Sequence, residues 1–179
     1  VAPAWTLGRA AGLNQLRVTA LSGPQVTFSA TAEVPPAPFR ASAIDGLCGF
    51  DPAGRLHCWG PNSTGRLGDG TTVRKSRATP VSTASGSFDL VRSAGSHTCA
   101  AGGTVRGFYC WGGGSFGQTG VGTFSNTTLP QRVALTSNSY VRLAAGETNS
   151  CAITDDGTAN RLYCWGANSR GQLGNGSTT

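Results

Sequence analysis

Six cysteines and two histidines are the most reactive side chains of this sequence: Cys48, Cys58, Cys99, Cys110, Cys151, Cys164, His57 and His97. Metal binding, nucleophilic catalysis and disulfide formation compete for them. Structural zinc sites bring ligands two to four residues apart. Taken two at a time in chain order, these cysteines have nine, ten and twelve residues between them, so zinc is set aside. Asp155 and Asp156 precede Gly157, but the spaced oxygen ligands of a calcium loop are missing, and the triplet reads as a hairpin turn. A Gly-rich lysine loop for phosphates is absent. No catalytic residue, metal or cofactor is expected.

The cysteines sit in elements that recur. Residues 56–72, 108–123 and 162–179 each carry Cys-Trp-Gly followed by regularly spaced glycines. Their tryptophans, Trp59, Trp111 and Trp165, lie 52 and 54 residues apart. A repeat of that length is one supersecondary unit that cannot bury its apolar face alone, so copies must pack side by side. Gly is 27 of 179 residues, which suits short strands and tight turns, such as those at Gly65, Gly68 and Gly70. Each tryptophan is read as core, where full burial is worth about 2–3 kcal/mol.

The third copy, with Trp165, Gly166, Asn168, Gly171, Gln172, Leu173, Gly174 and Gly176, resembles the repeat of the regulator of chromosome condensation family. The first has Arg66 for the Gln; the second has Gly114 for the Asn and Thr119 for the Leu. The upstream half of the repeat recurs at 94–100 and 145–152 and is degenerate near 44–48. In that family each repeat is a four-stranded propeller blade, and a small residue–His–Ser/Thr string like that around His97 is a structural blade position. The resemblance covers roughly residues 41–179. Register within the repeat then selects, from fifteen pairings, Cys48–Cys58, Cys99–Cys110 and Cys151–Cys164. Each would bracket one hairpin and contribute about 2–3 kcal/mol. Disulfides persist outside the cytosol, so the expected location is extracytoplasmic, periplasmic or extracellular in a bacterium.

Residues 1–34 differ. Leu16, Val18 and Ala20, then Val26, Phe28, Ala30 and Ala32, alternate with period two, as half-buried strands do. With Trp5 and Leu7 they resemble the last strands of a bacterial immunoglobulin-like domain. Residues 35–40, with three prolines, read as a stiff linker. The expected fold class is all-β: a partial Ig-like β-sandwich and about three blades of an incomplete β-propeller over 41–179. Propellers close with about 4–8 blades, so open edges are expected to be covered by further blades or a partner. The chain has no Met and no signal-type or membrane-length apolar run. Any signal peptide or anchor is expected upstream of Val1.

Net charge is +6. Arg66, Arg74, Lys75 and Arg77 cluster after the first motif as a candidate contact for an acidic protein surface or an anionic membrane; nucleic acid is not expected. The triplets at Asn62, Asn126 and Asn175 fit the glycosylation pattern, which is frequent by chance in a Ser/Thr-rich chain. The functional expectation is a non-enzymatic scaffold or accessory subunit docked on a larger assembly, at the periplasmic face of a membrane complex. An internal segment of a large adhesion protein and a secreted enzyme-inhibitor-like propeller are the alternatives.

Overall fold

A computed structural model describes residues 15–18, 26–29, 47–51, 53–135 and 139–179. The chain divides into two units, Val1–Pro38 and Phe39–Thr179. In the first, β1 (Gln15–Val18) pairs antiparallel with β2 (Val26–Ser29), setting Gln15 opposite Ser29 and Val18 opposite Val26. The rest of the Ig-like expectation for 1–34, and the linker at 35–40, lie outside the described residues.

The second unit is a run of antiparallel sheets. Blade 1 holds β3 (Cys48–Phe50), β4 (Leu56–Gly60) and β5 (Lys75–Pro80). After a 3-10 turn at Thr83–Ser85 comes blade 2, with β6 (Phe88–Ala94), β7 (His97–Gly102), β8 (Gly107–Gly112) and β9 (Thr127–Arg132). Blade 3 holds β10 (Tyr140–Ala145), β11 (Asn149–Asp155) and β12 (Asn160–Gly166). Consecutive strands pair within each blade, so the fold is all-β, and its three sheets match partial propeller blades.

The central strands explain why the pattern is more apolar than simple alternation. Every residue of β7 and β8 is buried, because blade 2 has a neighbour on each face. One apolar cluster lies between blades 1 and 2 around Leu56, Leu67, Val81, Phe88, Val91 and Trp111. Another, around Phe108, Val133, Leu143 and Ala152, joins blades 2 and 3. The outer strand β5 is largely exposed and ends on Pro80, and β9 carries Pro130. Proline and lysine on outer strands discourage pairing with another chain.

The Cys-Trp-Gly string has one geometry in blades 1 and 2. The ladder shifts register between Cys58 and Gly60, and between Cys110 and Gly112, so the tryptophan sits on a bulge. The glycine that follows has φ of +100° at Gly112, where a Cβ would come 2.6 Å from the Ser96 carbonyl oxygen. Only glycine fits there.

Candidate docking surface and the contacts that hold it

The three cysteine pairs are cross-strand neighbours: Cys48 faces Cys58, Cys99 faces Cys110, and Cys151 faces Cys164. Each is a disulfide with Cα atoms 4.1 Å apart, the close spacing of a non-hydrogen-bonded antiparallel pair. No free cysteine is present among the described residues.

Each tryptophan motif acts between blades as well as inside one. The indole Nε1–H of Trp111 donates to the carbonyl of Arg66 at 2.9 Å, and the Thr98 hydroxyl donates to the same oxygen at 2.9 Å. One blade further on, Trp165 Nε1–H and the Ser150 hydroxyl donate to the carbonyl of Gln118 at 2.9 and 3.0 Å. A loop carbonyl of one blade is thus the seat for an indole and a hydroxyl of the next. Glycine makes the approach possible: a Cβ on Gly68 would stand 2.6 Å from Trp111 Nε1, and one on Gly120 would stand 2.5 Å from Trp165 Nε1.

His97 lies in this network. Its Nε2 meets Ser150 Oγ at 2.7 Å. Because that hydroxyl donates to Gln118, it accepts from His97, which fixes the Nε2–H tautomer. Burial, with Arg66 adding repulsion, pushes the His97 pKa down to about 4. A second pin between blades 2 and 3 is polar. The Tyr140 hydroxyl donates to Asp89, and Arg106 donates to Tyr140 at 2.7 Å while standing 5.0 Å from its ring centre. Burial and the Asp89 carboxylate push the Tyr140 pKa up to about 12.

The motif loops are held by asparagine. Asn62 is buried; its Oδ1 accepts from Leu67 N, and its Nδ2 donates to the carbonyls of Thr71 and Val73. Asn168 repeats this with Leu173 N and the carbonyls of Ser177 and Thr179. Blade 2 has Gly114 in that place, and Asn126 works from across the loop, its Oδ1 accepting from Gly114 N at 3.1 Å. Burial leaves Asn62 no room for a glycan. Sequence reasoning treated Asn62 and Asn126 as glycosylation triplets and Asn168 as a repeat position; the place of Asn62 and Asn168 three residues after a tryptophan was the available signal for their shared role.

The four basic residues do not form one patch. Arg66 is turned inward, where its guanidinium donates to the carbonyl of Gly95, and burial lowers its pKa. Lys75 pairs with Asp69 at 3.2 Å. Burial alone would raise the Asp69 pKa, but hydrogen bonds from Thr71 and Lys75 outweigh it and hold the carboxyl low. Arg74 and Arg77 are exposed. Val73, next to Arg74 in the chain, is exposed, and so are Phe116, Phe124 and Leu129 on and after the second motif loop.

Residues 113–117 spell Gly-x-Ser-x-Gly. Ser115, however, is exposed on a strand-to-strand loop, not on the strand-to-helix turn that makes a nucleophile elbow. Among the described residues no three His, Cys, Asp or Glu side chains are grouped to hold a metal, and no helix is long and apolar enough to cross a membrane.

Models of the regulator of chromosome condensation (RCC1) repeat match residues 53–101 and 107–153, and a second model of that repeat matches 140–172. Among curated proteins, the chain is 30% identical over 164 residues to the Arabidopsis thaliana ultraviolet-B receptor UVR8, covering 83% of this chain and 36% of that protein. It is 31% identical over 131 residues to the probable human E3 ubiquitin-protein ligase HERC4, covering 71% of this chain and 12% of the relative. Among solved structures, yeast RCC1 (Prp20) with Kap60 bound aligns with a TM-score of 0.56 at 26% identity, over 69% of this chain and 28% of that one. Human WBSCR16 shares the fold with a TM-score of 0.60 at 21% identity, over 74% and 34%. The chain therefore spans about a third or less of the length of these proteins.

Proposed function

Because the chain belongs to the regulator of chromosome condensation (RCC1) repeat family, we propose that it is a non-enzymatic docking module. It acts as an extracytoplasmic scaffold or accessory subunit, seated on a larger protein assembly at the periplasmic face of a membrane. The observation that carries this reading is the set of three cross-strand disulfides, one at the same place in each blade. Such bridges form and persist in oxidising compartments. They also stiffen the hairpins from which the motif loops project, and a rigid loop loses less entropy on meeting a partner. Yeast RCC1 has been solved with Kap60 bound and studied for binding to Gsp1p and histones, so protein recognition has precedent among the similar structures. The partner proposed here is a protein, and no nucleic acid is required.

The test is thiol trapping and cross-linking in the native cell. In spheroplast fractions the chain should appear outside the cytoplasmic membrane. Its cysteines should resist maleimide until a reductant is added, and a cross-linker should join it to a protein partner. Free thiols or cytoplasmic residence would overturn the location; a chain that never cross-links to another protein would overturn the docking role.

A further inference from the structure

The sequence contains one Asn-Gly pair, Asn175-Gly176, in the motif loop of blade 3. Glycine has no Cβ to shield its backbone nitrogen, so that nitrogen can reach the carboxamide of the residue before it. The equivalent places hold Asp69-Gly70 in blade 1 and Val121-Gly122 in blade 2. The three glycines share one conformation, with φ of +84°, +83° and +80° in chain order. One loop shape therefore carries three different residues before its glycine.

The hydrogen bonds of Asn175 all fall on its oxygen. Oδ1 accepts from Asn168 Nδ2 at 3.2 Å, from Ser177 N at 3.1 Å and from Ser177 Oγ at 3.2 Å. A backbone N–H can only donate, which fixes that atom as the oxygen. Among the described residues, Nδ2 of Asn175 donates to none. Three donors draw electron density away from Cγ, and the amide nitrogen is left able to depart. The attacking atom is available as well. In blade 1 the Gly70 N–H donates to the Thr128 carbonyl at 3.0 Å, whereas the Gly176 N–H makes no hydrogen bond among the described residues. Gly122 N–H is likewise unbonded there although blade 3 adjoins its loop, so a neighbouring blade does not by itself tie up this amide. Nothing lies within 4 Å of the Cβ position at Gly176, and Asn175 and Gly176 are both exposed to water.

We infer that Asn175 is a site of spontaneous deamidation in the folded protein. The Gly176 nitrogen gives up its proton to hydroxide and attacks Asn175 Cγ. A C–N bond forms, Nδ2 takes a proton from water and leaves as ammonia, and a cyclic succinimide remains. Water then opens the ring. Addition at the former side-chain carbonyl gives aspartate, and addition at the backbone carbonyl gives isoaspartate. The net change is one water consumed and one ammonia released. Blade 1 shows that the loop accommodates the aspartate. Asp69 Oδ1 accepts the same three bonds, from Asn62 Nδ2 at 3.2 Å, Thr71 N at 3.0 Å and Thr71 Oγ1 at 2.9 Å. Its other oxygen holds Lys75 at 3.2 Å. Deamidation thus gives blade 3 a fixed carboxylate that can hold a cation as Asp69 does. This inference goes beyond the docking role and does not depend on it.

Incubating the folded protein in heavy-oxygen water at mildly alkaline pH, followed by tryptic mapping and mass spectrometry, tests it. The peptide 171–179 should exchange an NH group for a heavy oxygen atom, while the peptides carrying Asn62, Asn126 and Asn168 should not. Conversion should quicken as pH rises, because the attacking nitrogen must first lose its proton. Gly176→Ala should slow it several-fold by crowding that nitrogen. Asn175→Asp should keep the unfolding midpoint of the parent protein. An Asn175 that stays intact in the folded protein, or converts at a rate indifferent to pH, overturns the inference. A midpoint markedly lowered by Asn175→Asp overturns the claim that the loop accommodates the product.

Discussion

His97 shows how far a side chain can be moved from its ordinary behaviour by what surrounds it. In the folded protein its pKa is about 4, against 6.5 when free. Between those values the unfolded chain binds a proton that the folded chain refuses, so stability falls as pH drops from about 6.5 towards 4 and levels off below. Full protonation linkage at this site amounts to roughly 3 kcal/mol. His57, also lowered chiefly by burial, pulls in the same direction. Urea unfolding at a series of pH values should show that slope, and His97→Gln should flatten most of it at some cost in stability. Part of this scale was legible in advance: the cysteine pairs, the turn glycines and Trp111 as core, whereas Trp59 and Trp165, also read as core, are only half-buried. Arg66 was not. Its charge reads as surface, but its carbonyl is the seat of Trp111 and its guanidinium is tied to Gly95. A residue's type reports on its side chain, and here the backbone oxygen does half the work.

At the scale of elements, the motif loop is a socket, and glycines set its depth. Gly120 and Gly174 occupy equivalent places with φ of +64° and +67°, so alanine strains both backbones by about 1–2 kcal/mol. Only at Gly120 would the new methyl also strike Trp165, adding about 1–3 kcal/mol of overpacking. Nothing lies within 4 Å of the Cβ position at Gly174. Gly120→Ala should therefore lower the unfolding midpoint markedly more than Gly174→Ala, as thermal denaturation can measure. Equal effects would mean that backbone strain alone accounts for the motif. The sequence pattern marked the equivalent Gly68 as a turn, but could not say what stood above Gly120. That neighbour comes from the next repeat, some 45 residues away. In the second repeat Gly114 replaces the motif asparagine, and Asn126 ties the loop by a different bond, accepting from Gly114 N from the far side.

For the molecule as a whole, protection should be graded by blade. The amides of β7 and β8, buried at every position, should be the last to exchange with solvent, and those of β3 and β12 should exchange sooner. Hydrogen exchange followed by mass spectrometry would show a uniform profile if the blades opened together. The matched repeat frames are offset from the blades: 53–101 takes in β4 to β7, and 107–153 takes in β8 to β11. Thr98 and its acceptor Arg66 fall within one frame, as do Ser150 and Gln118, whereas the Cys99–Cys110 disulfide joins one frame to the next. That arrangement governs what happens when the chain is cut. A protease reaching the exposed tip at Arg106 would sever the peptide bond between β7 and β8 and release nothing. The bridge just below the cut keeps both pieces joined, and their strands stay paired. Protein cut only at an engineered protease site next to Arg106 should run as one species on a non-reducing gel and separate into two fragments after reduction, whereas a cut at the exposed Arg74 or Arg77, which no bridge spans, should release fragments under both conditions. Where proteases are common and repair is absent, such a chain can be broken and still hold its shape.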